Sequence, residues 1–147
     1  MRNVLLFLIA FVFATGTHAQ AASKQAFEGV WVSVDDVSNQ RKSEIRLYVE
    51  GGKLYGQIAR LLLEEDKGKR CVACKGALKD KPIEGLTIIE GLGWDGSAWT
   101  GGKILDPANG KQYSCTLTLE GNTTLKVRGY MGFSLLGRTQ TWYKSSK

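Results

Sequence analysis

The chain has 147 residues, three cysteines, one histidine and a formal net charge of +6 at pH 7, with 43% hydrophobic and 23% charged residues. That length suits one domain with a real core, and the small basic excess has no long run of like charge, so no nucleic-acid partner is expected. The lone histidine, His18, falls in a segment read below as cleaved on export, which excludes Ser-His-Asp and Cys-His catalysis, histidine metal sites and histidine acid–base chemistry.

Arg2 supplies a positive n-region, Val4 to Ala14 a short apolar run, and Ala19-Gln20-Ala21 a small-x-small cleavage site, which together make a secretory signal peptide. The apolar run is about eleven residues, against the roughly twenty needed to span a bilayer. Residues 1–21 are expected to be removed, leaving a single domain over 22–147 with net charge +5 after the loss of Arg2. No cysteine lies just after the run to accept a lipid, so the mature protein is expected to be soluble, without a transmembrane anchor, and periplasmic or secreted.

The remainder reads as short strands separated by Gly, Asn and Asp turns, with no helical periodicity sustained over three turns. Strands are expected over 27–35, over 43–50, where Ile45, Leu47 and Val49 alternate with polar neighbours, and over 53–63 after a Gly51-Gly52 hairpin signal. Residues 64–82, dense in charge and closed by Pro82, read as one long loop, the kind of segment that is often functional or disulfide-pinned. Further strands follow at 83–91, 97–105, 111–119, 124–131 and 138–145, divided by Asp95-Gly96, Asn109-Gly110 and Gly121-Asn122. About eight strands joined mostly by short turns predict an all-β, antiparallel up-and-down barrel, which removes its edges by closing. Glycines at 56, 85, 101, 102 and 129 suit the bulges and coiling such a barrel needs.

Gly29-Val30-Trp31 on the first strand and Arg138 at the start of the last resemble the G-x-W and late arginine of lipocalin-like (calycin) barrels. That resemblance implies that Trp31 packs across the closed end against Arg138, a cation–π contact of roughly 0.5 to 2 kcal/mol. The segments KLYGQI (53–58), CVACKG (71–76), KDKPIEGLTII (79–89), WTGGKILDPANGKQYSC (99–115) and LKVRGYMGFSLLGRTQTW (125–142) resemble one exported bacterial family, catalogued as a domain of unknown function with a calycin-like barrel. This resemblance implies the fold and no activity; lipocalin analogy raises the prospect of a small ligand.

Three cysteines in an oxidising compartment cannot all pair within the chain. A local Cys71–Cys74 disulfide is preferred, because Cys115 alternates in phase with Tyr113 and Leu117 and so belongs to the apolar face. The rival pairing joins Cys115 to a loop cysteine and pins the loop to the wall. Lys69, Arg70 and Lys75 would favour a thiolate in the Cys71-x-x-Cys74 motif, yet no βαβ unit surrounds it as in thiol–disulfide exchange proteins. Three sulfurs without histidine fall short of a closed zinc site, so neither a metal nor a cofactor is expected.

Arg128-Gly129-Tyr130 resembles the Arg-x-Tyr pair that holds a carboxylate in intracellular fatty-acid-binding barrels. Parity opposes it: if Leu125, Val127 and Met131 face inward, Arg128 and Tyr130 face out. Acidic residues are scattered among turns and strand ends, so no reaction can be named and enzyme activity ranks last. The preferred function is binding or carriage of a small apolar or anionic lipid-like ligand. Its lining is drawn from Tyr55, Ile58, Ile88, Trp99, Tyr113 and Leu117, with Arg128 (beside Tyr130) or Arg138 as anion partner. The alternative is an envelope structural or interaction module whose barrel is filled by its own side chains and which acts through the 64–82 loop.

Overall fold

The computed structural model describes residues 23–133 and 136–146; the signal segment expected over 1–21 lies outside the described residues. A 3-10 turn, Lys24–Phe27, leads into β1 (Gly29–Val34), β2 (Arg41–Glu50), β3 (Lys53–Leu61), β4 (Thr87–Trp94), β5 (Trp99–Asp106), β6 (Lys111–Glu120), β7 (Thr124–Tyr130) and β8 (Gly137–Lys144). Neighbours in sequence pair antiparallel and β8 returns to β1, so the sheet is a closed eight-stranded barrel. The expected fold class is the observed one.

Alternation sets the two faces. Ser43, Ile45 and Leu47 of β2 are buried, whereas Arg46 between them is exposed. The β2–β3 hairpin turns through Gly51 and Gly52, whose φ values of 55° and 75° are those a tight two-residue turn requires. Outside, the wall is polar: Arg60 pairs with Glu44 at 2.9 Å, and the Thr100 and Thr116 hydroxyls meet at 2.9 Å. Apolar within and polar without is the reverse of a membrane-spanning barrel, and no described helix is long and apolar enough to cross a membrane.

Because the strands alternate in direction, the connections at 51–52, 95–98 and 121–123 share one end with the first 3-10 turn. That end is filled. Phe27, Trp31, Leu47, Leu54, Leu92, Trp99, Leu117 and Leu125 are fully buried there, with the Phe27 and Trp94 rings edge to face at 5.6 Å and Trp94 5.4 Å from Trp99. Each such side chain contributes about 1.5–3 kcal/mol on removal from water.

Three expectations need correction. The cation over Trp31 is Lys144, 4.6 Å from the ring centroid, and not Arg138. Arg138 is the second residue of β8, at the opposite end, where Nε donates to Asp36 Oδ2 at 2.7 Å; six residues of extended chain separate it from Lys144 by about 20 Å. β4 begins at Thr87 and not at 83, because Gly85 turns the chain at φ +86°, although Gly85 N–H still donates to the Ile58 carbonyl at 2.7 Å. The 64–82 segment also carries regular structure: 3-10 turns at Glu64–Asp66 and Gly76–Leu78, and a bridge between Arg70 and Pro82.

Candidate ligand cavity

The connections at 35–40, 62–86, 107–110 and 131–136 surround the other end of the barrel. This end is open, and a cavity of about 1090 Å³ runs from it into the interior. Its walls are Ile45, Ile58, Leu61, Ile88, Ile104, Val127 and Trp142, reached by the inward positions of successive strands. Gly129 widens it: a Cβ there would sit 3.6 Å from Ile104 and Tyr113, in ordinary contact and in space the glycine leaves open.

Polar groups inside are few and already paired. The Ser33 and Ser43 hydroxyls share a hydrogen bond of 2.7 Å, and Trp142 Nε1 donates to Gln140 Oε1 at 3.2 Å. Tyr113 Oη accepts from Asn109 Nδ2 at 3.1 Å near the mouth. Ser33 and Ser43 are the only buried polar or charged residues among those described. Every acidic or basic lining residue belongs to the mouth: Asp35, Lys42, Asp66, Lys69, Arg70, Asp106 and Arg138. Asp66 lies 2.5 Å from Lys69 and 3.2 Å from Lys42; the Lys69 ammonium foremost, then Lys42, holds its carboxyl below the usual value.

Of the residues expected to line a pocket, Ile58, Ile88 and Tyr113 do so, and Tyr130 reaches the rim. Tyr55 does not: Leu54, Gly56 and Ile58 take the inward positions of β3, so Tyr55 stacks on Tyr48 outside at 5.8 Å. Trp99 and Leu117 face inward but belong to the packed closed half, below the cavity. Arg128 stands on the outer face opposite Thr116 and Thr139, and its Nη1 donates to Thr139 Oγ1 at 3.2 Å. Strand parity decides it, as β7 buries Leu125 and Val127. Arg138 does line the mouth, held there by Asp36. Sequence reasoning missed Ser33, Ser43, Ile104 and Gln140, and left Val127, which parity turned inward, and Trp142 off the ligand lining; the first two were legible as positions in phase with Trp31 and Ile45.

The 64–82 segment forms a lobe on one side of the mouth. Cys71 and Cys74 are disulfide-bonded and buried, as preferred from the sequence. Backbone bonds from Cys71 N–H to Lys81 O (2.8 Å) and Ile83 N–H to Lys69 O (3.0 Å) draw the lobe together. It rests on the β5–β6 turn, where a Cβ at Gly110 would stand 2.0 Å from the Ala73 carbonyl oxygen. Cys115 is a free, buried thiol whose pKa desolvation pushes up to about 12. Among the described residues, no cluster of His, Cys, Asp or Glu could hold a metal ion.

The barrel is similar to the solved structure of protein HP1028 from Helicobacter pylori, which belongs to the lipocalin family. The TM-score is 0.72 at 20% identity, over 82% of this chain and 83% of that one. At that identity the likeness concerns the fold. No curated protein shows significant similarity. Residues 29–144, from the start of β1 to the end of β8, match the family described as "Uncharacterized protein conserved in bacteria (DUF2147)", and the chain belongs to that family.

Proposed function

We propose that this protein is an exported bacterial binding or carrier protein that takes a small lipid-like ligand into the open half of its barrel. The supporting observation is the cavity of about 1090 Å³, apolar in its walls and reached from one end. Its size matches the roughly 300–1,000 Å³ of ligand pockets. With no ionised group in its depth, the interior suits an acyl or other apolar moiety, since an anionic head buried there would lack a partner. Such a head belongs at the mouth, within reach of Lys42, Lys69, Arg70 and Arg138, and not at Arg128. The filled-barrel alternative does not account for this open half.

A fluorescent fatty-acid analogue titrated into the purified protein tests the reading. Saturable binding is expected, weakened at least tenfold by Ile58→Trp or Ile88→Trp, which fill the cavity. No saturable binding, or binding indifferent to both substitutions, overturns it. Export is tested separately by amino-terminal sequencing of protein recovered from the periplasm, with a start near Gln20 or Ala22 expected.

A further inference from the structure

We infer that the open end of the barrel docks on an anionic phospholipid bilayer, through the tip of the disulfide-bonded lobe and the side chains of Met131, Phe133 and Leu136. Six large apolar side chains are exposed among the described residues, and five of them ring this end: Val37 (88%), Val72 (70%), Met131 (58%), Phe133 (82%) and Leu136 (72%). The sixth is Tyr143, on the outer wall of β8. The turns at the closed end, at 51–52, 95–98 and 121–123, expose no apolar side chain, since the one they contain, Ala98, is buried. Exposed apolar residues scattered singly need no explanation, but their confinement to one end does.

Charge selects the partner. Over residues 64–82 the lobe carries Lys67, Lys69, Arg70, Lys75, Lys79 and Lys81 against Glu64, Glu65, Asp66 and Asp80, and its acidic residues gather at the start of the segment, so the stretch around the disulfide is basic. Val72 projects from the middle of this run, at the tip closed by Cys71–Cys74. Glu64 engages Lys67 and Asp66 engages Lys69, while Arg70 Nη1 donates to the Asp80 carbonyl at 2.8 Å. The lobe therefore keeps a positive excess beside an apolar tip, the pairing that favours anionic headgroups above an acyl layer.

Shape favours a bilayer over a folded partner. The apolar residues stand on separate connections around an open mouth, and Val72, Met131 and Leu136 line the cavity as well as the rim. A rigid protein would need a matched pocket for each tip and would leave the mouth void. A fluid bilayer accepts separated anchors and places its acyl chains against the opening. Docking of this kind needs no ligand in the barrel, so its test stands apart from probe binding.

The experiment is flotation of the purified protein with vesicles of phosphatidylcholine, with and without phosphatidylglycerol. The protein should float with the anionic vesicles and much less with the neutral ones. Phe133→Asp combined with Leu136→Asp should weaken that binding at least tenfold. Lys75→Glu with Lys79→Glu, two exposed lobe bases outside the cavity lining, should abolish the preference for phosphatidylglycerol, since each base near an anionic surface contributes roughly fivefold. All four positions are exposed, so unchanged thermal midpoints are expected to show that the fold survives. Lys126→Glu, on the wall beside Glu120 at the closed end, should change nothing. Failure of the native protein to float, equal flotation of the rim variants, or equal loss with Lys126→Glu would overturn the proposal. So would a concentration-dependent dimer that the Phe133 and Leu136 changes dissolve without any vesicle binding.

Discussion

Lys144 Nζ lies 4.6 Å from the centroid of the Trp31 ring and donates to the carbonyl oxygens of Ala26 and Glu28 at 3.2 and 2.6 Å. One ammonium thus joins the last strand to the segment that precedes the first, across the floor of the barrel. Trp31 completes the arrangement by donating from Nε1 to Phe27 O at 2.7 Å. Trp31→Ala should cost about 3–5 kcal/mol, as emptying a large aromatic from a core does. Lys144→Met should cost about 1–3 kcal/mol by leaving the two carbonyls unpartnered. Urea denaturation reads both; a cost near zero for either would remove its residue from the floor.

The same lysine has a pH signature. Desolvation lowers its pKa from 10.5, with the neighbouring Glu28 charge opposing. A base with a depressed folded pKa binds more protons when unfolded, so this group makes the fold relatively more stable as pH rises toward 10.5. Subtracting the stability profile of Lys144→Met from that of the native protein should expose an upward slope just below that pH. A downward slope would mean that the ring and carbonyls outweigh desolvation.

Cys115 should behave in the opposite sense. Its folded pKa, pushed to about 12 against 9.0 for an unburied thiol, means that the unfolded state loses its proton first. Stability is held below pH 9.0 and declines above it, by on the order of 1 kcal/mol per pH unit. Cys115→Ala should flatten that decline. Iodoacetamide should label the native thiol far more slowly than the denatured one, and fast native labelling would contradict its burial.

Two strand glycines should respond differently to a methyl group. At Gly102 a Cβ would meet the Glu90 carbonyl oxygen at 2.3 Å and the Leu92 nitrogen at 2.7 Å, both fixed in the adjacent strand. Gly102→Ala is expected to cost more than about 3 kcal/mol or to prevent folding. Gly129→Ala places the same atom in the cavity wall at ordinary contact distance, and its thermal midpoint should match or slightly exceed the native one. The reverse order of stabilities would be incompatible with the cavity as described.

The Cys71–Cys74 bridge closes a ring of four residues, so the chain-entropy model assigns it about 2 kcal/mol at most. Cys71→Ser with Cys74→Ser should therefore leave the barrel folded and loosen the lobe, seen as faster exchange of the amide at position 71 and of Ile83, whose N–H groups bond to the Lys81 and Lys69 carbonyls. Global unfolding of that variant would show the lobe to be part of the barrel core.

Much of the barrel is local information. Alternation along 43–50 and 124–131, with glycine turns at 51–52 and 121, needs only a period of two and a residue that accepts positive φ. It was enough to place β2 and β7, and the same parity argument turned Arg128 outward. Local reasoning could not say how deep an inward residue lies. Trp99, Leu117 and Ile88 all face in, but their height along the barrel depends on the register of neighbouring strands, shifted by bulges at Glu44/Ile45 and Thr100/Gly102. That stagger makes Trp99 part of the closed half and Ile88 part of the cavity. The partner of Trp31 was hidden for a similar reason. A late arginine and a late lysine both follow β7, and only the direction of β8 decides which one reaches the floor. The sequence by itself determined the order of the strands and most of the inward faces, and it favoured the local disulfide over the rival pairing. Tertiary structure decided which inward residues fill the barrel and which leave it open, because depth is set by pairing between strands and not within one.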